Sequence, residues 1–275
     1  MGLSDTPPAH VPEWVVPLST TFLGLGVVFW DLTYILITRR SLRTRSYGMP
    51  ILGLMTNVSW EMVYGFYVAE TALEQSGFIL WLLLDLGLVY TTIRFAPDDW
   101  AATSPKIGRN ISWVLGSMLL FGCWGHYAFV SWWLSAPGIG FGDKTGKWWR
   151  GKEGYDQTEL AYWSAGVAQM VLSVASVAML LIREHSGGTS YKIWFCRFFG
   201  SLSGMGFCNG VLWWYWPEAH GYWVSPLGIF ICGCSLAADT VYPFLLHSVR
   251  KHEVQLPDGR LVRGDERKQA ERKSQ

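Results

Sequence analysis

Charge is scarce in this 275-residue chain: Lys, Arg, Asp and Glu make up 16% of it, where soluble domains carry about 25%. A water-facing globular surface cannot be covered at that proportion. The charges collect in short stretches and leave runs of about 20 residues nearly free of them. With charge confined to the loops, the net charge of +1 says nothing about nucleic acid, and no nucleic-acid partner is expected. There is no P-loop, no nucleophile elbow and no H-E-x-x-H zinc signature. Residues 1–13 are polar and Pro-rich, with Asp5 and Glu13 but no basic n-region, so no cleavable signal peptide is read there. The five cysteines, Cys123, Cys196, Cys208, Cys232 and Cys234, lack metal-ligand spacing. Small buried hydrophobes are the better reading than a disulfide framework. No internal repeat is evident, which disfavours an inverted-repeat transporter.

What is abundant is apolar and aromatic: half the residues are hydrophobic, and 17 are Trp. Seven apolar runs, 14–38, 49–70, 76–96, 112–134, 160–182, 193–215 and 223–248, each approach the ~20 residues a helix needs to cross a bilayer. Helices are the expected spanning form because every backbone amide in lipid must be paired internally. The fold class is therefore all-α: a polytopic membrane protein of seven transmembrane helices in one bundle over 14–250. A polar segment, 1–13, precedes it, and a charged tail, 251–275, follows and reads as disordered.

The connections give the orientation. Arg39, Arg40, Arg43 and Arg45 flank the first, Arg94, Lys106 and Arg109 the third, and Arg183, Lys192 and Arg197 the fifth. The second and sixth carry Glu70, Glu74 and Glu218 and no base. The positive-inside rule then places the N-terminus in the lumen and the C-terminus in the cytoplasm, and the endoplasmic reticulum is the expected location. The long fourth connection, 135–159, is rich in glycine and holds Trp148 and Trp149. Its Trp pair reads as an interfacial anchor, with a lid over a substrate site as the alternative.

An acid at membrane depth is expensive, so by default it has a task. Asp31 lies near the basic first connection, where a structural role fits best. Asp85, in Trp81-Leu-Leu-Leu-Asp85, either lines a cavity or bonds a neighbouring helix. Glu61 and Asp239 have matching surroundings, each with a tyrosine three residues on, Tyr64 and Tyr242. By rise per residue they lie ~18 and ~14 Å from the cytoplasmic ends of their helices, and both can face one pocket. Two buried carboxyls together can keep one protonated, as a Brønsted acid requires. The alternative is that each only accepts a helix–helix hydrogen bond. Trp60, Trp81, Trp124 and Tyr242 lie well inside their runs, where aromatic faces can stabilise cations. Trp213 to Trp223 read as an interfacial belt. His126 is either a packing element or a final proton acceptor. Asp98-Asp99 has no second acidic cluster, so a diphosphate–magnesium site is discounted, and no metal ligands or cofactor are expected.

Several segments, in order along the chain, resemble one known family. They are Asn57-Val-Ser-Trp-Glu61-Met-Val-Tyr64, Arg94-Phe-Ala-Pro-Asp-Asp-Trp100, Arg109-Asn-Ile-Ser112, Gly125-His126, Gly188-Thr-Ser-Tyr-Lys-Ile-Trp194 with Arg197-Phe-Phe-Gly-Ser201, Tyr215-Trp-Pro-Glu218, and Ser225-Pro-Leu227 leading to Asp239-Thr-Val-Tyr242. Together they resemble the seven-span terpene cyclases of fungal meroterpenoid and indole-diterpene pathways, the paxilline-type cyclases. The resemblance implies cyclisation of an epoxidised prenyl chain after a prenyltransferase and a flavin epoxidase, without metal or organic cofactor. It also implies that Glu61 and Asp239 are essential. The long fourth connection and charged tail depart from the compact family pattern.

The expected function is thus an integral-membrane cyclase in which protonated Glu61 opens the epoxide and Asp239 supports it. The possible cation-stabilising set is Trp60, Tyr64, Trp81, Asp85, Trp124, His126 and Tyr242, and the partners are a prenylated epoxide and membrane lipid. The alternatives are a small seven-helix receptor or proton- or cation-coupled carrier, or an inactive subunit that tethers pathway enzymes. The topology itself is testable at Asn110-Ile-Ser112, a glycosylation sequon placed on the cytoplasmic side. Glycosidase treatment should leave the protein's mobility unchanged, and a shift that Asn110→Gln abolishes would reverse the orientation.

Overall fold

The structure is a computed structural model and describes residues 2–264. It is mostly helical, and five helices are long and apolar enough to cross a membrane: α1 (Val15–Thr44), α3 (Ala72–Asp99), α5 (Ile111–Trp133), α6 (Gln157–Arg183) and α10 (Pro226–His252). The runs expected at 49–70 and 193–215 are continuous helical paths interrupted by π-helical turns. The first is α2 (Ile51–Val63) followed by Tyr64–Val68. The second is α7 (Tyr191–Ser201), Leu202–Phe207 and α8 (Cys208–Tyr215). Short helices α4 (Pro105–Arg109) and α9 (Pro217–His220) lie in connections, as does the two-residue hairpin β1 (Trp148–Trp149) and β2 (Lys152–Glu153).

Hydropathy places the spans but misses several helix starts, because capping residues are polar. Thr71 caps α3, Asp156 caps α6, Ser190 caps α7 and Ser225 caps α10, each accepting a hydrogen bond from the amide three residues on. Between α1 and α7 the approach is close because Gly26 faces Gly200 and Gly204, where a Cβ would strike backbone. On the outer side, α5 exposes Trp113, Leu120, Phe121 and Trp124. Such a contiguous apolar face is suited to hydrocarbon.

Each end of the bundle is fastened by its own set of connections. At one end, Asp99 accepts from Ser46 Oγ at 2.9 Å and pairs with Arg183 at 3.2 Å, while Trp100 Nε1 donates to Tyr47 OH at 2.7 Å. These contacts give Asp99 a structural task. The charged tail also differs from expectation over its described part. Residues 253–263 form a hairpin of β3 (Glu253–Gln255) and β4 (Leu261–Arg263), because Glu253 accepts from Ser186 N at 2.6 Å and Arg263 pairs with Glu184 at 2.7 Å. The remainder of the expected disordered tail, 265–275, lies outside the described residues.

At the other end, the 134–156 connection gathers the N-terminal segment and both neighbouring connections. Lys147 is fully buried. Its Nζ lies 2.7 Å from Asp5, donates to His220 Nε2 at 3.0 Å, and sits 4.4 Å from the Trp216 ring centre. The donation to Nε2 leaves the His220 proton on Nδ1, which donates to Tyr222 OH at 2.8 Å; Tyr222 donates to Asn209 at 3.0 Å. Trp149 Nε1 donates to Val68 O at 3.0 Å. The Trp148–Trp149 pair therefore fastens the cap rather than anchoring it in lipid. The aromatic belt divides likewise: Trp214 is exposed, whereas Trp216 and Tyr222 are buried in the cap.

His220 should loosen the cap in acid, while Asp5 and Glu159, both raised by burial, act the other way. Burial, with the Lys147 ammonium alongside, pushes His220 well below the usual imidazole range. An open cap would take up a proton on His220 near pH 6.5 and the closed cap would not. Stability from this source is therefore complete above about pH 6.5 and declines as pH falls. Burial alone would raise Asp156, but Lys147 and Lys144 outweigh it and hold it at about 2. Its contribution is lost only as pH falls from about 4 towards that value. Hydrogen exchange of residues 135–156, corrected for intrinsic rate, should show more opening at pH 5 than at pH 7. Equal protection would contradict this linkage.

Candidate functional site

Glu61 is buried in α2 with 1% of its surface exposed. Its Oε1 accepts from Asn57 Nδ2 at 3.0 Å and lies 3.4 Å from Tyr34 OH. The same Asn57 nitrogen reaches Asp85 Oδ2 at 3.3 Å and also contacts Tyr34 OH. Asn57 precedes Glu61 by one helical turn, so both project from the same side of α2. The Asn57 amide nitrogen thus bridges the two carboxyls. Among the described residues, no cation forms an ion pair with either.

Aromatic rings stand beside this acid pair. Trp60 stacks on Tyr64 with centroids 5.0 Å apart, meets Phe78 at 5.1 Å and Trp81 at 5.9 Å. The structure thus brings four expected residues, Trp60, Tyr64, Trp81 and Asp85, into one region around Glu61. Tyr64 does not touch the acid, however. Its hydroxyl donates to Leu160 O at 3.3 Å and accepts from Ser164 at 2.6 Å.

Asp239 belongs to a different group. Its Oδ1 pairs with Arg197 Nη2 at 2.5 Å, and its Oδ2 accepts from Ser173 at 2.9 Å and Gln169 at 3.4 Å. Arg197 also donates to Ser176 at 2.7 Å and lies over the Tyr242 ring. Tyr242 in turn donates to Thr189 at 2.9 Å. Arg197, by sequence a charge of the fifth connection, is a buried residue of α7.

The expectation that Glu61 and Asp239 face one pocket is corrected by the register of α6. Trp60, next to Glu61, donates to Ser164 at 2.9 Å, whereas Asp239 bonds Ser173. These serines are nine residues apart, which at about 3.6 residues per turn is two and a half turns. They project from opposite sides of α6, ~13 Å apart along its axis. The partner of Glu61 is Asp85.

A cavity of about 350 Å³ lies between α6, α10 and the π turn that joins α7 to α8. Asp239 and Gln169 line one end, and Phe198, Leu202, Met205 and Ile229 are among its apolar walls. Glu61 is not among its lining residues.

Two other expected residues are placed elsewhere. Trp124 is 68% exposed on the outer face of α5, because its helix meets the bundle along the opposite side. His126 Nε2 contacts Thr56 O at 3.2 Å, tying α5 to α2. Of the five cysteines, all are free and only Cys208 is buried. Among the described residues, no group of three or more His, Cys, Asp or Glu is arranged to hold a metal ion. Asn57, Tyr34 and Arg197 are among the polar partners that sequence reasoning did not assign to the acids, as are Ser173 and Gln169. The spacing of Asn57 from Glu61 could have indicated the first, whereas the others come from distant helices.

The family model of Pyr4-like transmembrane terpene cyclases matches residues 2–252. Terpene cyclase ascF of Acremonium egyptiacum is 36% identical over 95% of this chain and 93% of its own length. Terpene cyclase nodB of Hypoxylon pulicicidum is 33% identical over 88% of each chain. Terpene cyclase ptmB of Penicillium ochrochloron is 32% identical over 93% of this chain and 95% of its own. These likenesses lend no support to the receptor or carrier reading. With its apolar helices, and with a match that runs almost from end to end, the chain belongs to the Pyr4-like transmembrane terpene cyclases, multi-pass membrane enzymes of fungal secondary metabolism.

Proposed function

We propose that this cyclase protonates the epoxide of a prenyl chain attached to an aromatic or polyketide core, with Glu61 as the proton donor and Asp85 as its partner. The observation that carries this reading is the burial of two carboxyls joined by one Asn57 amide, with no cation paired to either among the described residues. Two ionised carboxylates in that setting would cost several kcal/mol each. A proton held by the pair avoids the cost, and Glu61 Oε2 and Asp85 Oδ1, which have no hydrogen-bond partner, are the atoms free to carry it.

Glu61 gives its proton to the epoxide oxygen, the adjacent C–O bond breaks, and an alkene of the same chain closes on the cationic carbon. The faces of Trp60 and Trp81 stabilise the cation, by up to ~2 kcal/mol each when water is excluded. Loss of a proton from the last cation ends the cascade and leaves an isomer of the substrate. Glu61 is reached when the Tyr34 and Asn57 side chains that cover it swing aside. Asp239 takes a different task, as a fixed anion held by Arg197 at the polar end of the cavity. The wider setting of this reading is seven spans with a lumenal N-terminus in the endoplasmic reticulum, downstream of a prenyltransferase and a flavin epoxidase.

Glu61→Gln should insert and fold normally yet lose about 10²- to 10⁴-fold in cyclisation, the usual contribution of a positioned acid. Membranes containing it, supplied with an epoxidised prenyl arene, should return substrate where wild type returns an isomer of unchanged mass. Product at the normal rate would sink the mechanism. Asp239→Asn should fail differently. It leaves Arg197 buried and unpaired, at a cost of about 3–5 kcal/mol, so thermal stability in detergent should fall well below that of Glu61→Gln. Equal stability of the two variants would show that Arg197 finds another partner.

A further inference from the structure

The 350 Å³ cavity is lined by neither Glu61 nor Asp85 and needs its own explanation. Its lining on α10 runs from Ile229 to Asp239, ten residues or ~15 Å. The walls are mostly apolar, with the hydroxyls of Ser201 and Ser235 along them and with Asp239 and Gln169, both over nine-tenths buried, at one end. α10 packs chiefly along α6, and α7 chiefly along α1. The seam between α10 and the α7–α8 path is therefore loose, and Ile229 and Leu236 at its edge are 59% and 50% exposed. The cavity thus opens sideways, at the depth of the hydrocarbon.

Two glycines leave the space open. A Cβ on Gly233 would meet nothing within 4 Å, and one on Gly206 would meet only the Leu202 side chain, at 3.3 Å. Neither is a glycine because packing demands it, and a larger side chain at either would project into free volume. An apolar cavity of about 150 Å³ holds benzene. At that density the 350 Å³ here takes roughly 14 carbon atoms, close to three five-carbon units.

We propose that this cavity is a lateral binding site for the isoprenoid chain of the substrate, distinct from the acid pair, which receives the chain from the bilayer. It rests on the cyclase reading. Glu61 is closed over, so a lipophilic substrate dissolved in the membrane needs a first place to lodge. The seam offers one, with walls for the chain and with Gln169 and Asp239 to hydrogen-bond a polar end.

The test uses the full-length protein in membranes and a diazirine-tagged prenyl arene with three isoprene units. Crosslinks are expected within 198–206 and 229–239, in the wild type and equally in Glu61→Gln, where turnover is slowed at least about a hundredfold. Gly233→Trp should abolish them and lower kcat/KM about tenfold, mainly through KM. Leu120→Trp, on the outer face of α5, should change neither. Labelling confined to the Trp60–Trp81 region would overturn the proposal. So would labelling competed equally by phosphatidylcholine, which would mark a lipid groove only, or labelling indifferent to Gly233→Trp. If the wild type labels here but makes no cyclic isomer, the cyclase mechanism fails and the isoprenoid site stands. If it cyclises but labels elsewhere, only the site fails.

Discussion

A carboxyl group surrounded by hydrocarbon must be neutralised, and this bundle neutralises its deepest acids in two opposite ways. Asp239 has a guanidinium: Arg197 approaches to 2.5 Å, with Ser173 and Gln169 completing its hydrogen bonds. Glu61 has another carboxyl, Asp85, with Asn57 between them. The first arrangement fixes a negative charge in place. The second is economical only if the pair keeps a proton. A carboxyl thus serves as an anion at one level of α6 and as an acid about two and a half turns away, and the difference is set by the helices that each faces.

The rest of the fold keeps those two settings dry and apart. Tyr34, Ile37, Leu54, Leu172 and Ile193 belong to one packed cluster, and Trp60, Tyr64, Phe78 and Trp163 to another. The ends of the bundle are fastened separately, by Asp99 and Arg183 at one and by Lys147, Asp156 and His220 at the other. The π turns at Tyr64–Val68 and Leu202–Phe207 fall beside the aromatic cluster and the cavity respectively. Such turns often occur where a helix is shaped for function.

The five long apolar helices are legible in the sequence because hydropathy and length decide them, and Glu61 is legible because an acid in an apolar run is conspicuous. The association of Glu61 with Asp239 was not sound. It rested on matching Glu61–Tyr64 and Asp239–Tyr242 spacings, and a local spacing carries no information about which helices are neighbours. Asp85 could have been preferred only by knowing that α3 meets α2 at that depth. Arg197 was misplaced for a related reason: its position near the start of an apolar run reads as a loop charge, and only the fold shows Asp239 opposite it. Trp124 shows the limit for aromatics, since depth within a run does not say whether a ring faces the bundle or the lipid.

The central claim is that the proton resides at Glu61 and Asp85 and not at Asp239. Infrared difference spectroscopy of the membrane-embedded protein reads it directly through the carbonyl stretch of a protonated carboxyl. That band should be present in the wild type, should be lost or shifted in Glu61→Gln and in Asp85→Asn, and should persist in Asp239→Asn. A band that survives the first two substitutions and disappears with the third would contradict the account.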